Sequence, residues 1–154
     1  MEKCMITVLK RHFNKDLAKK FGVVGLSKCP MHKEGQTYFS DCVKPEKFCD
    51  EAWKAIYQYV FALAHGSEIF FNNDWIKIPG VAICSCNDGI RPVIFKIERV
   101  NEEIFLKAIA SQSKQLRYNV MALANKGWTM DEISNALKIS RSAVELIIEI
   151  SSKD

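Results

Sequence analysis

VAICSCNDGIRPVIFKIERV, residues 81–100, is the stretch on which the fold turns. It reads as a β-hairpin with Asn87-Asp88-Gly89 supplying the turn. Alternation puts Cys84 and Cys86 on one face of the first strand and Val81 and Ile83 on the other. In the second strand Val93, Phe95 and Ile97 share a face, and Lys96 and Glu98 share the opposite one. After Arg99-Val100 the texture of the chain becomes helical.

Working back towards the N-terminus, Cys4–Lys10 alternates as a strand, with Met5, Thr7 and Leu9 on one face. Asn14 is placed to cap a short basic helix running to about Lys20. Thr37–Ser40 follows as a short strand after Gly35. Pro45–Ala64 reads as the main helix, with Pro45 in its first turn and Cys49, Ala52, Trp53, Ile56, Val60 and Leu63 as its apolar stripe. Gly66 ends it. Residues 67–80, with Phe70, Phe71, Trp75, two asparagines and Pro79, read as an aromatic-rich loop. Strands, helix and hairpin make an α+β domain at 1–100, a small antiparallel sheet packed on one main helix. Residues 101–154 form an all-helical tail. Asn101 caps its first helix, which has apolar positions at 105, 108, 109, 116, 120, 123 and 124 and a weak point at Ser111-Gln112-Ser113. Gly127 stops that helix. Thr129 with Glu132 is a capping box that starts a second helix. Ser140, after a tight Lys138-Ile139 connection, starts a third ending near Ile150.

Composition is that of a globular chain: 154 residues, 48% hydrophobic, 26% charged, net charge +4. The charge is unevenly spread. Residues 1–100 hold 15 Lys/Arg against 11 Asp/Glu, and residues 101–154 hold seven of each. The excess is concentrated in Lys10, Arg11, Lys15, Lys19, Lys20, Lys28 and Lys33. No apolar segment approaches the length of a bilayer span, and the start MEKCMITVLKRHF lacks a secretory h-region. A cytoplasmic location without membrane association is therefore expected, with the six cysteines reduced or metal-bound rather than paired as disulfides.

Three thiols from separated segments, Cys29, Cys49 and Cys86, are candidates to converge, with Cys84 or His32 as a fourth group. Thiolates in a reducing compartment suit zinc or an iron–sulfur cluster. Against this, the chain has no Cys-x-x-Cys pair, and a cysteine on a buried stripe is also simply a small apolar residue. Both readings stand at the level of sequence. Asp88 and Arg91 invite an anion-binding or ligand site, or a turn in which Asp88 shapes the backbone and Arg91 pairs locally. His12, His32 and His65 show no triad spacing, and there is no glycine-rich phosphate loop. Whether the chain is an enzyme stays open.

Cys29-Pro30, the helix start Pro45-Glu46-Lys47-Phe48-Cys49 with Ala52-Trp53, and Cys86-Asn87-Asp88-Gly89-Ile90-Arg91-Pro92-Val93-Ile94-Phe95 together resemble the pattern of a family of small prokaryotic proteins. The likeness covers residues 3–100. It implies a shared fold and brings no activity with it. Gly127-Trp128-Thr129, Glu132-Ile133, Leu137, Ile139-Ser140 and Val144 make residues 116–150 resemble a helix-turn-helix of the kind found in sigma-factor region 4 and response-regulator output domains. That resemblance implies that Ser140, Arg141, Ser142 and Glu145 face the major groove, with Lys138 nearby. The third helix offers only Arg141 against Glu145 and Glu149, so a helical oligomerisation or partner-docking module stays open beside DNA binding. The expectation is a homodimeric, DNA-binding transcriptional regulator whose first domain senses a ligand, metal or redox state. The alternative is a small metal or iron–sulfur protein, or a thiol enzyme, in which the tail serves dimerisation.

Overall fold

The computed structural model describes residues 2–70, 75–112 and 114–152, with side chains at all of these except 109–112. Phe71, Asn72, Asn73, Ser113 and the side chain of Ile109 thus lie outside the described residues. The chain forms two compact units, Met1–Asn101 and Glu102–Asp154.

The first unit is α+β. Strands β1 (Lys3–Arg11), β2 (Thr37–Ser40), β3 (Val81–Ser85) and β4 (Val93–Val100) form one antiparallel sheet in the order β2-β1-β4-β3. Period-2 alternation sends Cys4, Ile6 and Val8 of β1 and Val93, Phe95 and Ile97 of β4 inward, all fully buried. The inward face of β1 is thus the one opposite Met5 and Thr7, and a bulge between Val8 and Lys10 leaves Leu9 exposed. Helix α2 (Asp50–Ala64) packs on this face through Ala52, Ile56, Val60 and Leu63. Each fully buried Ile, Val or Leu contributes about 1.5–3 kcal/mol relative to an exposed one. The helix closes with paired bonds from Gly66 N to Leu63 O (3.0 Å) and Ser67 N to Ala62 O (3.0 Å). Gly66 takes φ +87° to make that closure, a conformation glycine reaches without strain.

One helix start and one cap differ from the sequence expectation. α2 begins at Asp50, not Pro45, with Cys49 as its N-cap and Asp50 and Glu51 in its first turn. Residues 45–48 form a turn closed by Phe48 N to Pro45 O (3.1 Å), and Lys47 is left-handed at φ +59°. Burying Phe48 among the rings of His32, Tyr38 and Phe95 outweighs the local preference of Pro45 for a helical first turn. Asn14 precedes the short helix α1 (Lys15–Phe21), but its side chain does not cap it; Nδ2 donates instead to Gly89 O at 2.8 Å.

The second unit holds α3 (Glu102–Gln112), α4 (Lys114–Ala124), α5 (Met130–Leu137) and α6 (Arg141–Ser151). The chain is helical on both sides of residue 113, where Ser111-Gln112-Ser113 weakens the periodic pattern. Val120, Ile133, Val144 and Ile147 form a buried centre, surrounded by Leu116, Leu123, Leu137, Ile139 and Ile148. Thr129 and Glu132 make the full capping box: Glu132 N donates to Thr129 Oγ1 (3.3 Å), and Thr129 N donates to the Glu132 carboxylate (2.8 Å). Among the described residues no helix is long and apolar enough to cross a membrane.

Candidate functional site

The sheet and α2 gather all six thiols into or against one apolar core. They do so in different ways. Cys84 faces inward from β3 opposite Phe95, and burial pushes its thiol up to about 12. Cys4, in the centre of β1, donates weakly to Val60 O at 3.6 Å and is likewise pushed up to about 12, by burial first and then by the nearby Cys42. Cys86 directly follows β3, its amide donating to Val93 O (3.0 Å) and its Sγ accepting from Val93 N (3.3 Å). Cys29 is buried in the segment between α1 and β2, and its carbonyl accepts from the Arg11 guanidinium at 3.1 Å. Cys49 is half-buried at the α2 N-cap.

Among the described residues no three Cys, His, Asp or Glu side chains are grouped to hold a metal ion. The set Cys29, Cys49, Cys84 and Cys86 is therefore not a preformed centre for zinc or an iron–sulfur cluster. The physical reason is the core itself. Each sulfur fills its own place in the packing, and protonated, desolvated thiols such as Cys84 are poor ligands.

His32, the other candidate ligand, is 1% exposed and enclosed by Tyr38, Phe48 and Phe95, with ring centroids 5.0–5.6 Å away. Its Nδ1 lies 2.9 Å from the Tyr38 hydroxyl, and its Nε2 has no hydrogen-bond partner among the described residues. Burial lowers its pKa and keeps the ring neutral. This imidazole–phenol pair has no signature in the sequence beyond His32 itself, because it joins two irregularly connected residues through the core.

The hairpin turn is a longer loop than Asn87-Asp88-Gly89 alone, running from Cys86 to Pro92. Asp88 organises it. One carboxylate oxygen accepts from the amides of Ile90 and Arg91, both at 2.9 Å, and the other accepts from Arg91 Nε at 2.8 Å. Burial acts to raise the Asp88 pKa, but the Arg91 and Ile90 bonds outweigh it and hold the carboxyl below its usual value. Arg91 is thus engaged locally through its Nε. Beside this loop an open cleft of about 500 Å³ separates Lys54, Ala55 and Gln58 of α2 from Cys84, Ser85 and Cys86. Its size falls within the range of small-ligand sites.

No known protein family, curated protein or solved structure matches this chain.

In the helical unit, Lys138 takes φ +52°, ψ +43°, turning the chain sharply between α5 and α6. Ser140 caps α6, accepting from Ala143 N at 3.2 Å. Ser140, Arg141, Ser142 and Glu145 are exposed, as is Lys138. Arg141 is committed on two sides. Nη1 donates to both carboxylate oxygens of Asp131 (3.1 Å each), and Nε donates to Glu145 (3.1 Å). Ile150 packs against the buried centre, while half-buried Leu146 lines an open groove between α3 and α6.

Proposed function

We propose that this chain is a DNA-binding regulator in which the helical unit is a helix-turn-helix and the α+β unit senses a small molecule. One observation carries the reading: the α5–α6 corner. A capping box, a left-handed residue at Lys138 and a serine cap set two crossed helices on a common core of Ile133, Val144 and Ile147. That corner leaves Ser140, Arg141 and Ser142 exposed at the start of α6, on the side a recognition helix would present.

The charges set the terms of binding. Arg141 is the only cation on α6, and its pairs with Asp131 and Glu145 are exposed. Solvent screens exposed pairs of this kind, so exchanging them for a phosphate is inexpensive. Lys126 and Lys138 are exposed and add further contacts. Such a sparse set predicts weak binding by one copy, and two copies on adjacent half-sites double it. The sensing surface we assign is the cleft beside Cys84 and Cys86, since no metal-holding group is present among the described residues.

A mobility-shift assay with genomic fragments tests the DNA reading. Retarded complexes that weaken with salt and with Arg141→Ala support it; binding indifferent to both removes it.

A further inference from the structure

Two surfaces of this chain complement one another. The first is α1, seven residues long, of which none is buried. Leu17 and Phe21 lie one turn apart on it, and the chain continues into Val23 and Val24; Phe21, Val23 and Val24 are 66%, 74% and 105% exposed. Large apolar side chains left so fully in water, one after another, mark a contact surface. Lys15, Lys19 and Lys20 flank them, with Lys20 Nζ 5.1 Å from the Phe21 ring centroid.

The second surface is the groove between α3 and α6, about 370 Å³, with Leu106 and Leu146 among its lining residues and Glu102, Glu103, Glu145 and Glu149 around them. Lys107 pairs with Glu103, and Arg141 is shared between Glu145 and Asp131 outside the groove. The groove offers apolar contact ringed by negative charge. The α1 segment offers apolar side chains ringed by positive charge.

We infer that α1 and the Val23-Val24 turn of one copy dock into the α3–α6 groove of a second copy. Leu17 and Phe21 meet Leu106 and Leu146, and Lys15, Lys19 and Lys20 meet the glutamates. The observations favour a second copy over an anionic membrane because the same chain carries a groove matching α1 in both polarity and charge. Ser142 and Glu145 line the groove and also belong to the proposed DNA-facing set, so a docked α1 and a duplex exclude each other. That last clause alone rests on the DNA reading.

Sedimentation equilibrium of the full chain without DNA, at about 50 and about 500 mM salt, tests the docking separately. Three proteins are compared: wild type, an α1 variant (Lys15→Glu, Lys19→Glu, Lys20→Glu) and a groove variant (Glu102→Lys, Glu149→Lys), each checked for native circular dichroism. Wild type should dimerise at low salt, with a dissociation constant rising about tenfold or more at high salt. Each variant alone should be monomeric. Mixing the two should restore association, since the reversed α1 of one variant then meets the reversed groove of the other. A monomeric wild type at low salt overturns the inference, as does a dimer that neither charge reversal disturbs. A monomer whose α1 lysines instead drive binding to anionic vesicles overturns it in favour of a membrane surface.

Discussion

Replacing His32 by phenylalanine should flatten the acid dependence of the α+β unit's stability between about pH 7.5 and 5.5. His32 is 1% exposed, ringed by three aromatic side chains, and its burial lowers the imidazole pKa below 6.5. The sign follows from which state holds the proton. The unfolded chain takes one up as the pH falls through about 6.5, while the folded chain resists it, so acid favours unfolding. Stability is complete above that value and declines below it. With a folded ring neutral throughout, the loss between pH 7.5 and 5.5 reaches its upper limit of about RT ln 10, or about 1.4 kcal/mol. That is a large part of the 5–15 kcal/mol typical of a domain. Lowered carboxyls do not confuse the window. Asp88, for example, contributes stability that is lost only as the pH falls below its ordinary 3.8. Urea unfolding at three pH values, read by circular dichroism and tryptophan fluorescence, measures the slope. The variant also leaves the Tyr38 hydroxyl without its partner, a roughly constant loss of about 1 kcal/mol that shifts all three points together. Equal acid sensitivity in wild type and His32→Phe would refute the reasoning.

Lys138→Gly should stabilise the helical unit by about 1 kcal/mol, because a Cβ is strained at φ +52°, and should reduce the salt dependence of any DNA binding by about one contact; a fall in melting temperature contradicts this. Thr129→Ala should cost about 1 kcal/mol of helical-unit stability by breaking the capping box, seen as an earlier thermal transition. Site-resolved alkylation near pH 8 should leave Cys4 and Cys84 the last of the six thiols to react, since burial pushes both up to about 12. Early labelling of either would mean that the core opens.

The fold class was legible because short-range periodicity suffices for it. Alternation in β1 and β4, the apolar stripe of α2 and the Thr129-x-x-Glu132 box are local patterns with direct physical consequences. The start of α2 was less legible. Pro45 signals a helix start locally, but Phe48 gains more by turning inward onto His32 and Tyr38, partners distant in sequence. Asn14 shows the same conflict, its side chain holding the Gly89 carbonyl rather than its own helix. The thiols were the hardest to read. Sequence places Cys84 and Cys86 on a common strand face, yet whether sulfurs meet depends on depth and strand order. Here the depth makes Cys84 a protonated core residue. Charge on α6 could be counted from sequence, whereas the hold of Asp131 on Arg141 depends on how α5 crosses α6.

The central claim, that the α5–α6 corner is a DNA-binding surface, is tested most directly by fluorescence anisotropy of a labelled duplex titrated with the full chain between about 50 and 200 mM salt. Binding should be saturable, its log affinity falling with log salt by about 0.9 per phosphate contact. Arg141→Ala should weaken it, and Asp131→Asn, which releases that guanidinium, should tighten it. No binding at low salt, or binding that ignores both substitutions, would contradict the claim.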